Sequence, residues 1–160
     1  MARWIPTLGD GLFTKASLQP TRTTLRGLFA DRGFNKNEII CQYGGTLIPV
    51  DQAFDEERRL VSSRMILLQD GKWVINAMHL RETPGTPAAS FAKNHEVWQK
   101  PNVVFWERPY EESDTIVTDT AGKIIAETSV FLVSTRKLFR GDEILIDPTS
   151  YSDPEPLLFL

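Results

Sequence analysis

Residues 64–77, RMILLQDGKWVINA, constrain the fold more than any other stretch of the chain. Two apolar runs flank Asp70-Gly71, a pair suited to the two positive-φ positions of a tight hairpin turn. The segments EIICQYGG (38–45), NVVFWE (102–107), GKIIAETSVFLVSTR (122–136) and EILID (143–147) are further short strand candidates, cut off by Gly or Pro loops. One short helix is expected over 52–62. Asp51 would be its N-cap, Asp55, Glu56 and Glu57 would lie near its positive end, and Arg58 and Arg59 toward its negative end. Many short strands and one short helix make the expected fold mainly β.

The 160 residues read as a single domain, 1–160, because no low-complexity stretch or shift in composition marks a linker. Gly-Leu-Phe occurs twice, at 11–13 and 27–29, but the echo is too short for a structural repeat. The segment 148–156 carries three prolines, which excludes a long helix or a central strand there. The apolar residues Leu157 to Leu160 that follow are expected to pack back onto the domain as a C-terminal tail spanning 152–160.

A net charge of −3 gives no general attraction to nucleic acid, and direct nucleic-acid binding is not expected. It suits basic protein partners better. No apolar run approaches the ~20 residues of a membrane helix, and the first residues do not form a secretory signal. A single cysteine, Cys41, excludes an intramolecular disulfide and a cysteine-built zinc site. The expected location is therefore intracellular, cytoplasmic or nuclear, and no metal site is expected.

Three blocks carry chemistry. The first, GLFADRGFNKNEIICQYGG (27–45), resembles the opening of the SET domain of protein lysine methyltransferases, whose pattern is Gly-Leu/Val-Phe-Ala followed by Gly-Glu-x-Ile-x-x-Tyr-x-Gly. Asn37 stands where that family has the glycine of Gly-Glu, and Leu25 precedes Arg26-Gly27 where the family usually has Gly-x-Gly. The second block is WVINA (73–77) with Ser90-Phe91, Asn94-His95 and Pro101-Asn102, similar to Val-Ile-Asp-Ala, Arg-Phe-x-Asn-His and Pro-Asn. Lys93 is an inserted residue in this alignment; without the insertion, Lys93 and Asn94 would take the Asn-His places. The third, VSTRKLFRGDEILIDPTSY (133–151), resembles Gly-Glu-Glu-Leu-Thr-Phe-Asp-Tyr, with Pro148 at the tyrosine position and Tyr151 as the nearest tyrosine.

The resemblance implies a SET-domain fold of small, short-stranded sheets, with core motifs over 26–151 and the C-terminal segment packed back near the Asn-His loop. It implies S-adenosylmethionine as cofactor and methyl transfer to a lysine of a protein substrate, a histone tail being one candidate. The cofactor residues carried over are Arg26, Gly27, Leu28, Phe91, Asn94 and His95, with Gly27 in a turn that admits close backbone approach. Tyr151 is the candidate catalytic hydroxyl, and Tyr43, Phe105 and Ile146 line the substrate channel. Trp106 and Phe159 are further candidates for its wall, and Trp98 for a cap on the cofactor. A minimal domain without zinc-binding flanks can complete its groove as a homodimer. The competing reading is a catalytically inactive SET-like module that binds protein.

Overall fold

A computed structural model describes residues 5–18, 26–54, 56, 64–95, 98–111, 114 and 128–151, with side chains of the last segment up to residue 147. The architecture is mainly β, with eleven strands in three small sheets among the described residues. Strands β1 (Thr7–Leu8), β2 (Gly11–Ala16) and β3 (Arg26–Ala30) form the first sheet in that order. The two Gly-Leu-Phe strings lie in β2 and β3, which pair antiparallel with Phe13 opposite Phe29, their rings stacked at 5.5 Å.

Strands β5 (Thr46–Pro49), β6 (Met65–Leu67) and β7 (Trp73–Asn76) form a second sheet in the order β5-β7-β6. The 64–77 hairpin is present, but its turn is longer than a two-residue one. The Gly71 N–H donates to Leu68 O, the Leu68 N–H to Trp73 O, and only Gly71 takes positive φ, at 73°. Asp70 instead accepts the Lys72 N–H at 2.8 Å, so its side chain closes the turn that its backbone was expected to make.

The central sheet contains β4 (Ile39–Gln42), β8 (Lys93–Asn94), β9 (Val103–Pro109), β10 (Thr128–Ser134) and β11 (Leu145–Tyr151), in the order β4-β10-β9-β11-β8. β9 and β10 pair antiparallel without interruption from Val103 opposite Ser134 to Pro109 opposite Thr128. Successive residues of β10 point to opposite faces. Val130 and Leu132 join the main core, whereas Phe131 and Val133 pack with Ile39 and Trp106 on the other face. The main core lies where the three sheets meet: Leu12 and Leu28, Leu47 and Ile75, and Ile40, Phe105 and Ile146 contribute from one sheet each.

Two expectations need correction, and a third lies outside the described residues. The helix expected over 52–62 begins as a short 3-10 turn at Val50–Gln52 with Pro49 at its cap, so Asp51 lies inside the turn; residues 57–63 are outside the described ones. β11 runs through Pro148 to Tyr151 in an inner position of the sheet, where the prolines argued against a strand. Pro148 is tolerated because it falls within a register shift, beyond the two residues that pair with β8, where no ladder donor is required. Residues 152–160, expected to fold back, lie outside the described ones. No helix among the described residues is long and apolar enough to cross a membrane.

Asn37 adopts φ 64°, the left-handed region in which Asn is the best-tolerated substitute for Gly. Asn37 can thus hold a backbone shape that otherwise favours glycine. Gly45 has no such substitute: at φ 146°, an added Cβ would overlap the Asn76 carbonyl. Gly45→Ala is expected to cost about 1–3 kcal/mol, read from chemical denaturation.

Candidate functional site

The site is built around β11, which lies between β8 and β9, in parallel with both. β8 and β9 therefore run in the same direction, with β11 held between them. Ile146 lies opposite Asn94 on one side and Val103 on the other. The His95 N–H donates to Ile146 O at 2.8 Å, and the Asn102 N–H donates to Leu145 O at 3.0 Å.

Asn102 is 1% exposed and its side chain completes the join. Nδ2 donates to Glu143 O at 2.8 Å and Oδ1 accepts the Leu145 N–H at 2.9 Å. Its own carbonyl accepts the Thr135 N–H. One carboxamide thus ties the start of β9 to the segment leading into β11. Pro-Asn was visible in the sequence, but no local pattern identifies which backbone groups an Asn will satisfy.

Alternation along β8 separates the alignment alternatives in space. Lys93 points inward and is 2% exposed, with Nζ 3.3 Å from Gln99 Oε1, while Asn94 is exposed. His95 is half-buried, with Nδ1 at 3.1 Å from Gln99 O. A carbonyl can only accept, so Nδ1 is the donor in this contact. Gln99 anchors this loop from both its side chain and its backbone. Trp98 beside it is 66% exposed.

β3, which carries Arg26, Gly27 and Leu28, packs against β8 and against the short 3-10 turn Ala89–Phe91, the elements that carry Asn94 and Phe91. Gly27 stands inside β3, paired with Lys15, and not in the turn expected of it. The space left by its missing Cβ is occupied by the Glu143 carboxylate. Arg26 is exposed and its Nε donates to the Glu82 carboxylate at 3.1 Å, with Thr14 alongside. Leu28 is fully buried, and its carbonyl accepts the Ile144 N–H at 2.8 Å. Ser90 Oγ is buried with no hydrogen-bond partner among the described residues.

Phe91 is partly buried against the main core, with the Arg64 guanidinium 4.5 Å above its ring. Arg64 Nη2 also donates to Leu80 O at 2.9 Å. Burial lowers the Arg64 pKa, and the neighbouring Tyr43 and Glu82 oppose that shift. Arg64 escaped sequence reasoning because nothing near it in the chain announces an aromatic partner.

Tyr43, Phe105 and Ile146 do come together, all buried in the main core. The Tyr43 and Phe105 rings meet edge to face, 6.3 Å apart at 64°. Trp106 is excluded from this group: as the next residue along β9 it faces the opposite side, against Phe131. The backbone of Tyr151 pairs with Phe105. Phe159 lies outside the described residues. Among the described residues no three His, Cys, Asp or Glu side chains gather as metal ligands. Cys41 is fully buried, and burial pushes its thiol pKa up, out of the reactive range.

No protein-family model matches the sequence, and no curated protein matches it. Among solved structures, the fold is similar to a chain described as "ctPRC2 in an autoinhibited conformation bound to S-adenosylmethionine", with a TM-score of 0.55 and 16% identity over 87% of the present chain. The present chain spans 15% of that chain's length. This likeness is one of fold.

Proposed function

We propose that the protein is an S-adenosylmethionine-dependent protein-lysine N-methyltransferase, with a basic segment such as a histone tail as substrate. The observation that supports this reading most is the register of β11. Between the pairs Ile146–Val103 and Tyr151–Phe105, β11 advances five residues while β9 advances two. The additional residues, Pro148 among them, are taken up in the irregularity. Tyr151 is thereby returned to the strand beside the Tyr43–Phe105 pair, despite its offset in the sequence.

When bound, S-adenosylmethionine supplies a methyl group on a sulfonium. Its adenosyl and amino-acid ends need hydrogen-bond partners, and the 90–95 segment offers the exposed Asn94 carboxamide and the Ser90 hydroxyl, which is buried without a partner among the described residues, next to the half-buried His95. Tyr43, Phe105 and Ile146 provide an apolar wall that excludes water. A lysine amine brought against that wall loses hydration, which lowers its pKa and favours the neutral nucleophile. The Tyr151 hydroxyl would orient the amine, leaving the reaction chiefly a matter of alignment.

Titration calorimetry with S-adenosylmethionine is expected to show binding, and mass spectrometry on a panel of lysine peptides and histones to show transfer. Tyr151→Phe is expected to slow transfer about a hundredfold, with cofactor affinity largely retained. Unchanged turnover would remove Tyr151 from the mechanism. The second reading, a protein-binding module without transfer, is favoured by Pro148 at the usual tyrosine position. Cofactor binding without methylation of any peptide would decide for it.

A further inference from the structure

Glu143 is 6% exposed and has no part in the chemistry just described. Its carboxylate accepts from Ser17 Oγ at 2.8 Å and from the Leu18 N–H at 3.1 Å. Those bonds are possible only because residue 27 is glycine. A Cβ there would overlap Glu143 Oε2 and stand 3.0 Å from Cδ. The main chain around Glu143 is fixed as well: the residue bridges to Phe29 of β3, the Ala30 N–H donates to Asp142 O, and Glu143 O accepts Asn102 Nδ2. A single acidic residue therefore joins Ser17 and Leu18, the β3 strand, and the Asn102 loop that encloses β11.

We propose that Glu143 is a positioning residue for the cofactor strand. By filling the notch at Gly27 and gathering Ser17 and Leu18, its carboxylate sets where the Arg26–Leu28 backbone lies relative to β8. This rests on the reading that β3 and β8 together hold S-adenosylmethionine. It assigns Gly27 a second reason to be glycine: the residue must admit a carboxylate of its own chain as well as a ligand.

The test is a double-variant cycle of Gly27→Ala, Glu143→Ala and the two combined, read both as S-adenosylmethionine Kd by calorimetry and as unfolding midpoint. Calorimetry well below the midpoint reports the folded molecules, so a purely structural loss would move the midpoint and leave Kd alone. Glu143→Ala is expected to weaken binding about tenfold, as for loss of hydrogen bonds to a charged group. Gly27→Ala is expected to weaken it more, and the double variant less than the product of the two, because the overlapping atoms are gone. Glu143→Gln should recover most of the loss, since its carboxamide still accepts the Leu18 N–H and can donate to Ser17 Oγ. Ser17→Ala should weaken binding by about threefold with a near-parental midpoint. Glu143→Ala binding within about twofold of the parent, or losses that multiply in the double variant, would overturn the proposal. If the parent protein does not bind S-adenosylmethionine, the methyltransferase reading falls. The Gly27–Glu143 seat is then decided by the midpoints alone, and additive midpoint shifts sink it.

Discussion

Asn102→Ala is expected to lower the stability of the protein by about 3–5 kcal/mol, among the larger effects a single substitution can have. The side chain is buried and makes two hydrogen bonds, to Glu143 O and from the Leu145 N–H. Alanine leaves both backbone groups without a partner in a space that water does not reach, at roughly 1–3 kcal/mol each. For a domain of this size the melting temperature should fall by about 10 °C. The instructive control is Asn94→Ala, at an exposed position on β8. It should change stability by less than about 0.5 kcal/mol and act on cofactor binding instead. Thermal melts of the two variants check the contrast: a small loss at Asn102 would mean that the loop and β11 hold together without it.

The second large effect is expected at Asp114. Its side chain is fully buried and accepts Arg108 Nη1 at 2.8 Å, Arg108 Nη2 at 2.6 Å, Ser129 Oγ at 2.7 Å and the Glu111 N–H at 2.9 Å. Arg108 is itself largely buried and lies 4.6 Å above the Phe131 ring. Asp114→Ala strands that guanidinium, which should cost about 3–5 kcal/mol. Combining it with Arg108→Met should cost less than Asp114→Ala alone, because no unpaired charge then remains. The pH dependence has a definite sign. Burial on its own raises the Asp114 carboxyl pKa, but the hydrogen bonds and charge of Arg108, with Ser129 and the Glu111 amide, outweigh it and the net shift is downward. A depressed folded-state pKa stabilises fully above the unfolded-state value and is lost as pH falls through the folded one, so this contribution should begin to decline at about pH 4 and be gone once the pH is below the depressed folded-state value. Unfolding midpoints between neutral and acid pH check it: Asp114→Asn should flatten the acid limb.

The strands were legible because their cause is local. The runs read as strands at 38–45, 102–107 and 122–136 contain β4, β9 residues and β10, with 122–127 outside the described residues, and Asp70-Gly71 formed a turn, because side-chain shape and glycine's freedom act within a few residues. The detail of that turn was not legible, since Asp70 had two ways to close it and used its side chain. β11 was misjudged beyond residue 147 because a proline is read against an ideal ladder, whereas this strand carries an irregularity where the proline sits. Within the candidate site, the motifs pointed to segments that the fold packs against one another. The residues that hold those segments together, Asn102, Glu143, Gln99 and Arg64, were not assigned. Their roles depend on partners such as Leu145, Gly27, His95 and Phe91, and those contacts exist only once the sheets have met.

The placement of β11 also governs time. Its partners Lys93, Asn94 and Val103 are made long before it during synthesis, and pairing across such a separation is slow compared with closing a hairpin. The hairpin of β6 and β7 can form as soon as it leaves the ribosome, whereas β8 must wait for residues 145 and 146, its only strand partners among the described residues. Asn94, His95, Ile146 and the backbone of Tyr151 therefore reach their places in one late event, when the final strand enters the loop. The growing chain holds the other pieces of the candidate site beforehand, and they are joined only when that strand arrives.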